Sequence, residues 1–158
     1  MLYVASVTTP ANTPSSAPLS STLYVTTGLV VDVEFYLPPG SSGLLYVQLL
    51  DSTYQMYPTT LGEALRGDSM TLKYPEMYMK SDPPYLFTVK TWNLDDTYDH
   101  WVQVRVSMVS KEEYMARYLP SLQSSAIEDI MTKVSAKQEE TKAAQLEAIR
   151  SRFAFFGS

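Results

Sequence analysis

Apolar and polar residues alternate along most of the first two thirds of the chain. Runs at Leu2 to Thr8, Ser21 to Thr27, Leu29 to Tyr36, Leu44 to Leu50, Tyr85 to Trp92 and Trp101 to Met108 are β-rich, and most are bounded by Pro, Gly, Asp or Ser. Successive side chains on a strand point to opposite faces, so Val31, Val33 and Phe35 share one face while Asp32, Glu34 and Tyr36 share the other. In the last run Val102, Val104, Val106 and Met108 alternate with Trp101, Gln103, Arg105 and Ser107, which assigns the valine face to a core. The segment Pro38-Pro39-Gly40-Ser41-Ser42-Gly43 predicts a tight turn, because proline fixes φ and glycine tolerates positive φ. Asn93 to His100 is rich in side chains that cap their own backbone and reads as a hairpin loop, across which Trp92 and Trp101 could pair. Between Asp51 and Ser81 the apolar pieces are interrupted by Gly62, Gly67 and Pro75, which predicts short strands within a long excursion. Together these runs specify a mainly β chain, an antiparallel β-sandwich of jelly-roll or immunoglobulin-like type.

The period changes at Ser110. Ser110-Lys111-Glu112-Glu113 fits a capping box, in which the serine hydroxyl and the Glu113 carboxylate satisfy exposed amides at a helix start. Pro120 suits a first helical turn, and Ile127, Ile130, Met131, Val134, Leu146 and Ile149 then recur at helical spacing. From Ser135 to Gln145 nearly every residue is polar or alanine, so the apolar stripe is broken and the helix is suited to water. Phe153, Phe155 and Phe156 come just before Gly157 and Ser158, three aromatics that a solvated tail has no reason to carry.

With 158 residues, 45% of them hydrophobic, the chain can bury one ordinary core. The expected division is an uncharged extended arm at 1–20, a sandwich at 21–109 and a C-terminal α-helical appendage at 110–158. Cysteine is absent, so the core holds by packing alone. A net charge of −5 opposes nucleic acid, and Met1 to Val7 is too short and lacks the basic flank of a signal peptide or a membrane span. The first charged side chain is Asp32. An uncharged arm rich in Ser, Thr and Pro cannot bury enough surface to offset the entropy of ordering, so a partner is expected to hold it. Strand addition through Leu2, Tyr3 and Val4 would do so. Docking through Ile127, Ile130, Met131, Val134, Leu146, Ile149, Phe153, Phe155 and Phe156 would hold the other end.

Catalytic signatures are lacking. His100, the only histidine, follows a turn and has no announced nucleophile, and no G-x-S-x-G, S-x-x-K, H-E-x-x-H or glycine-rich phosphate loop occurs. No enzyme activity and no cofactor is expected. Asp95, Asp96 and Asp99 are the only candidates for holding Ca²⁺, but they lack the EF-hand spacing and aspartates are ordinary turn residues. Arg66-Gly67-Asp68 spells an integrin-type tripeptide and reads as a turn. Trp92 and Trp101 could stack sugars if they stand exposed and coplanar.

The series Thr9-Pro10-Ala11-Asn12-Thr13, Pro38-Pro39-Gly40, Gly43-Leu44-Leu45-Tyr46-Val47-Gln48, Tyr54-Gln55-Met56-Tyr57-Pro58, Asp82-Pro83-Pro84-Tyr85 and Asn93 to His100 resembles small β-sandwich virion structural proteins of prokaryotic double-stranded DNA viruses. The similarity spans about residues 8 to 108 and brings no catalytic residues with it. It implies a capsid- or tail-associated building block located in the virion, at the capsid surface or a vertex. Its partners would be other virion proteins and copies of itself, in a homo-oligomer within a larger assembly. The alternative expectation is a carbohydrate-binding or adhesin sandwich, including a tail- or fibre-associated receptor-binding component.

Overall fold

Among the described residues nine strands and two helices follow one another as β1 (Leu2–Thr9), β2 (Leu19–Tyr24), β3 (Gly28–Leu37), β4 (Leu45–Asp51), β5 (Tyr54–Tyr57), β6 (Leu65–Arg66), β7 (Met70–Lys80), β8 (Leu86–Asn93), β9 (His100–Val109), α1 (Lys111–Tyr118) and α2 (Ser124–Phe156). The computed structural model describes residues 1–118 and 124–156, with side chains described for all of these except 118, 124, 127 and 153–156. Pro120, expected in a first helical turn, lies outside the described residues.

The strands form two antiparallel sheets, ordered β1-β9-β3-β7 and β2-β8-β4-β5, with β6 also paired to β4. Setting β6 aside, β1 pairs with β9, β2 with β8, β3 with β7 and β4 with β5. That nesting is one long antiparallel ribbon wound upon itself, the strand order of a jelly roll. The expected β-sandwich with a helical appendage is therefore the observed architecture.

The core lies between the inner faces of the sheets. Val33, Phe35 and Leu37 of β3, Leu45, Val47 and Leu49 of β4, Phe87 and Val89 of β8, and Val102, Val104, Val106 and Met108 of β9 are wholly buried. The valine face of β9 enters the core as the alternation required. In β3 the alternation slips, because the register shifts between Val30 and Asp32. This bulge lets Val30 and Val33 both face inward and turns Val31 toward a second apolar cluster of Leu29, Val109 and Met131. The unbroken pattern in sequence concealed it.

Three expectations are corrected. β8 and β9 are not a hairpin, since they belong to different sheets and Asn93 to His100 crosses the sandwich from one to the other. The excursion from Asp51 to Ser81 contains the eleven-residue β7, the longest strand, which runs through Pro75 because an edge position needs no donor there. Residues 1–20 are no free arm: Leu2–Thr9 ladders along its whole length with β9 of the same chain, without a register shift. The arm's order is thus supplied from within.

The expected capping box opens α1, with the Glu113 N–H donating to the Ser110 hydroxyl (3.1 Å) and the Ser110 N–H to the Glu113 carboxylate (3.0 Å). Phe35 sits at the centre of the core against the rings of Tyr57 and Tyr74, at centroid distances of 5.8 and 6.4 Å. Truncating it opens a cavity that the close-packed sheets cannot fill. Phe35→Ala is expected to lower stability by about 3–5 kcal/mol in urea unfolding, without changing the strand content read by circular dichroism.

Candidate functional site

A densely built polar arrangement lies on the lateral side of the sandwich where side chains of β7 and β5, each an edge strand of its sheet, meet under α2. Inner-face positions of β7 recur every second residue and include the polar Glu76 and Lys80 toward its end. Both find partners. Lys80 Nζ donates to Asp51 Oδ1 on β4 (2.6 Å), both side chains being almost fully buried, and the Tyr78 hydroxyl donates to Asp51 Oδ2 (2.5 Å). The Tyr57 hydroxyl donates to Glu76 Oε2 (2.6 Å). Burial and then the Glu76 carboxylate push the Tyr57 phenol well above its ordinary range, and burial followed by Asp51 does the same to Tyr78. The Asp51–Lys80 pair links the two sheets, since β4 belongs to one and β7 to the other. Above it a cleft of about 370 Å³ separates the β4–β5 turn from Glu139, Lys142 and Leu146 of α2.

α2 meets both sheets through two glutamines. Gln138 Nε2 donates to the Met79 carbonyl (2.7 Å) while its Oε1 accepts from the Met79 N–H (2.8 Å). Gln145 does the same at Gln55 of β5, donating to its carbonyl (2.9 Å) and accepting from its N–H (3.0 Å). A carboxamide carries the same donor and acceptor as a peptide group, so each glutamine stands where the next strand's backbone would be. Seven residues span about 10.5 Å along a helix, and stacked sheets lie about 10 Å apart. The spacing from Gln138 to Gln145 therefore matches the distance between the two sheet edges. Met131 continues this line, one heptad earlier, into the cluster with Leu29 and Val109. Four bonds, each worth about 0.5–1.5 kcal/mol net, and one buried methionine make α2 a modest attachment to a much larger core.

β7 silences its remaining edge by other means. Ladder bonds alternate, so Pro75, Met77 and Met79 all present their backbone outward. Pro75 has no N–H, the Met77 N–H donates to Glu76 Oε1 (2.8 Å), and Met79 is held by Gln138. At Lys73 the edge carries a cation, paired with Asp32 at 3.6 Å.

The opposite side is treated differently. β1 and β2 are edge strands lying side by side, and neither contains a charge. Leu2 is 61% exposed, Val4 47% and Tyr24 75%, while Tyr3 packs on the core and its hydroxyl bonds Thr26 (2.7 Å). Among the described residues no side chain caps the outward backbone of β1 from Leu2 to Thr8.

The structure thus separates the two sets of expected partner-binding residues. Leu2, Tyr3 and Val4 lie at one lateral side, and α2 lies at the other. Met131 is buried against this chain's own sandwich, Ile130, Val134 and Ile149 are half-buried, and Leu146 is exposed. The side chains of Ile127, Phe153, Phe155 and Phe156 lie outside the described residues.

Trp92 and Trp101 stand on opposite outer faces, so they neither pair nor form one sugar platform. Trp92 stacks flat on Tyr46 (5.3 Å), whose ring also lies under Arg66, and Trp101 meets Tyr36 edge-on (5.7 Å). The aspartates build the crossover corner. Asp95 Oδ1 accepts from the Thr97 and Tyr98 amides (2.8 and 3.1 Å) and its Oδ2 contacts His100 Nε2 (2.8 Å). The Thr97 amide, then His100, holds its carboxyl below the usual range. Asp96 Oδ1 takes the Thr97 hydroxyl, and Asp99 Oδ1 takes the Ala11 N–H. Among the described residues no group of three His, Asp or Glu is placed to hold a metal ion. Asp68 accepts from the Gly40 and Ser42 amides (2.8 and 3.0 Å), which commits Arg66-Gly67-Asp68 to closing the Pro38 turn. Among the described residues no helix is long and apolar enough to cross a membrane. No family model, no curated protein and no solved structure matches the chain.

Two outcomes test this seam. Asp51→Asn is expected to cost about 3–5 kcal/mol by leaving Lys80 buried without a counter-charge, and adding Lys80→Met to recover most of the loss in urea titrations. Gln138→Glu with Gln145→Glu keeps the acceptors but loses the donors above the carboxyl pKa. Hydrogen exchange at the Met79 and Gln55 amides is expected to quicken at pH 7 and to slow again, relative to wild type, once acid protonates the new carboxyls.

Proposed function

We propose that this chain is a non-enzymatic structural building block of a virion, a capsid-associated subunit that joins its neighbours through the β1 side of the sandwich. The observation that carries the reading is the unequal treatment of the sheet edges. Natural sandwiches blunt edges with proline, charge or a covering element; here β7 receives all three and β5 is covered by α2. The eight residues of β1 receive none, and expose Leu2 and Val4 besides. An edge left bare in a chain that closes the opposite flank so thoroughly is suited to being covered by another subunit. The resemblance over residues 8 to 108 and the jelly-roll winding, an architecture shared by capsid and lectin domains, give the reading its particular setting. Two of the resembling segments also interlock: the Asn12 N–H donates to the Asp95 carbonyl (2.8 Å) and the Asn93 N–H to the Thr13 carbonyl (3.0 Å).

Deleting the first strand would dismantle a sheet, so the test uses point substitutions. Leu2→Glu with Val4→Glu places acids on exposed positions, the second opposite Arg105, and is expected to leave melting unchanged. Mass spectrometry of purified particles should find the wild-type chain and miss this variant. Absence of the wild type from particles, or incorporation of the variant at wild-type level, overturns the proposal.

A further inference from the structure

Met1 and Met108 exchange both backbone hydrogen bonds, which fixes the phase of the β1–β9 ladder. Residues 3, 5, 7 and 9 then bond inward to β9, and Leu2, Val4, Ser6 and Thr8 present their N–H and C=O groups to the outside. This outward set is evenly spaced, free of proline, bulge and charge, and bounded by Pro10. A second antiparallel strand must offer the same period, and another copy of β1 does.

We infer that β1 pairs with β1 of a second copy about a two-fold axis at Ala5. Only registers that set even-numbered residues against even-numbered residues join the outward groups. The one with greatest overlap sets Leu2 opposite Thr8 and Val4 opposite Ser6, with the small Ala5 meeting its own counterpart on the axis. The two sheets then become one, running β7-β3-β9-β1 and back through the partner in reverse order. A two-fold contact sets each strand against its own sequence, so a charge is readily brought near its like, and β1 has none to bring. β7 could not do this with Pro75 and Gln138 in the way, and β5 is only four residues long. The inference rests on the β1 side being the joining surface, and adds what covers it and in which register.

Charge patterns test the register. Val4→Glu with Ser6→Glu sets two acids directly opposite two others across the axis, whereas Val4→Glu with Ser6→Lys sets each acid opposite a base. Light scattering of the full chain over a concentration series should give a dimer for wild type and for the Glu/Lys variant, and a monomer for Glu/Glu. The chain has no cysteine, so Ala5→Cys provides an independent reading. Mild oxidation should link it into covalent dimers, while Ser6→Cys, whose counterpart is Val4, should link poorly. A wild-type chain monomeric at every concentration, with Ala5→Cys unlinked, overturns the inference. So does equal dimerisation of the Glu/Glu and Glu/Lys variants. Particle incorporation is read separately, so a dimer absent from particles would sink the virion reading while leaving this one standing.

Discussion

Unpaired backbone groups at the margins of a sheet are the constraint around which this molecule is organised. A two-layered sandwich has four marginal strands, here β1, β2, β5 and β7, each with N–H and C=O groups that no ladder consumes. The interior of the sandwich needs no such device, because its strands are paired on both sides and its valines, leucines and phenylalanines are sealed from water. The chemistry that distinguishes this chain is therefore found at its flanks. One flank is closed by a helix whose carboxamides take the place of a missing strand, and the other is left as plain backbone.

Closing two sheets with one helix imposes a geometric condition, and the heptad meets it. Apolar residues at positions 138 and 145 would cover the edges but leave their amides and carbonyls without partners, a loss of roughly 1–3 kcal/mol for each group left dry. Glutamine satisfies donor and acceptor together. Gln138 and Gln145 are thus polar because of what they touch, while Lys137, Glu139 and Glu140 beside them face solvent. Beneath the helix the Asp51–Lys80 pair performs the equivalent task for side chains, letting two strands that end inside the seam bring charge with them.

The sequence made the period-two strands, the helix start and the two-layer class legible, because each rests on local rules. β9 reads directly from Val102, Val104, Val106 and Met108, and the capping box from Ser110 and Glu113. What remained hidden depends on distant pairings. Pro75 looks like a breaker until it is known to lie on an edge, and Asn93 to His100 looks like a hairpin loop until β8 and β9 are known to lie in separate layers. The bulge at Val31 leaves no local trace, since valine suits either environment. Gln138 and Gln145 carried a readable signal, a seven-residue spacing continuous with Met131, but polar residues at those positions read as solvated until the strand edges are placed beneath them.

The pairing of the first strand with the last has a consequence for synthesis. β1 cannot find its place until β9 has left the ribosome, some 90 residues later, and at ordinary elongation speeds that interval is roughly 5–20 s. During that interval an uncharged, β-prone nascent segment has no native neighbour within its own chain. Translation pace and chaperone access thereby bear on how much of the chain reaches the wound state at all.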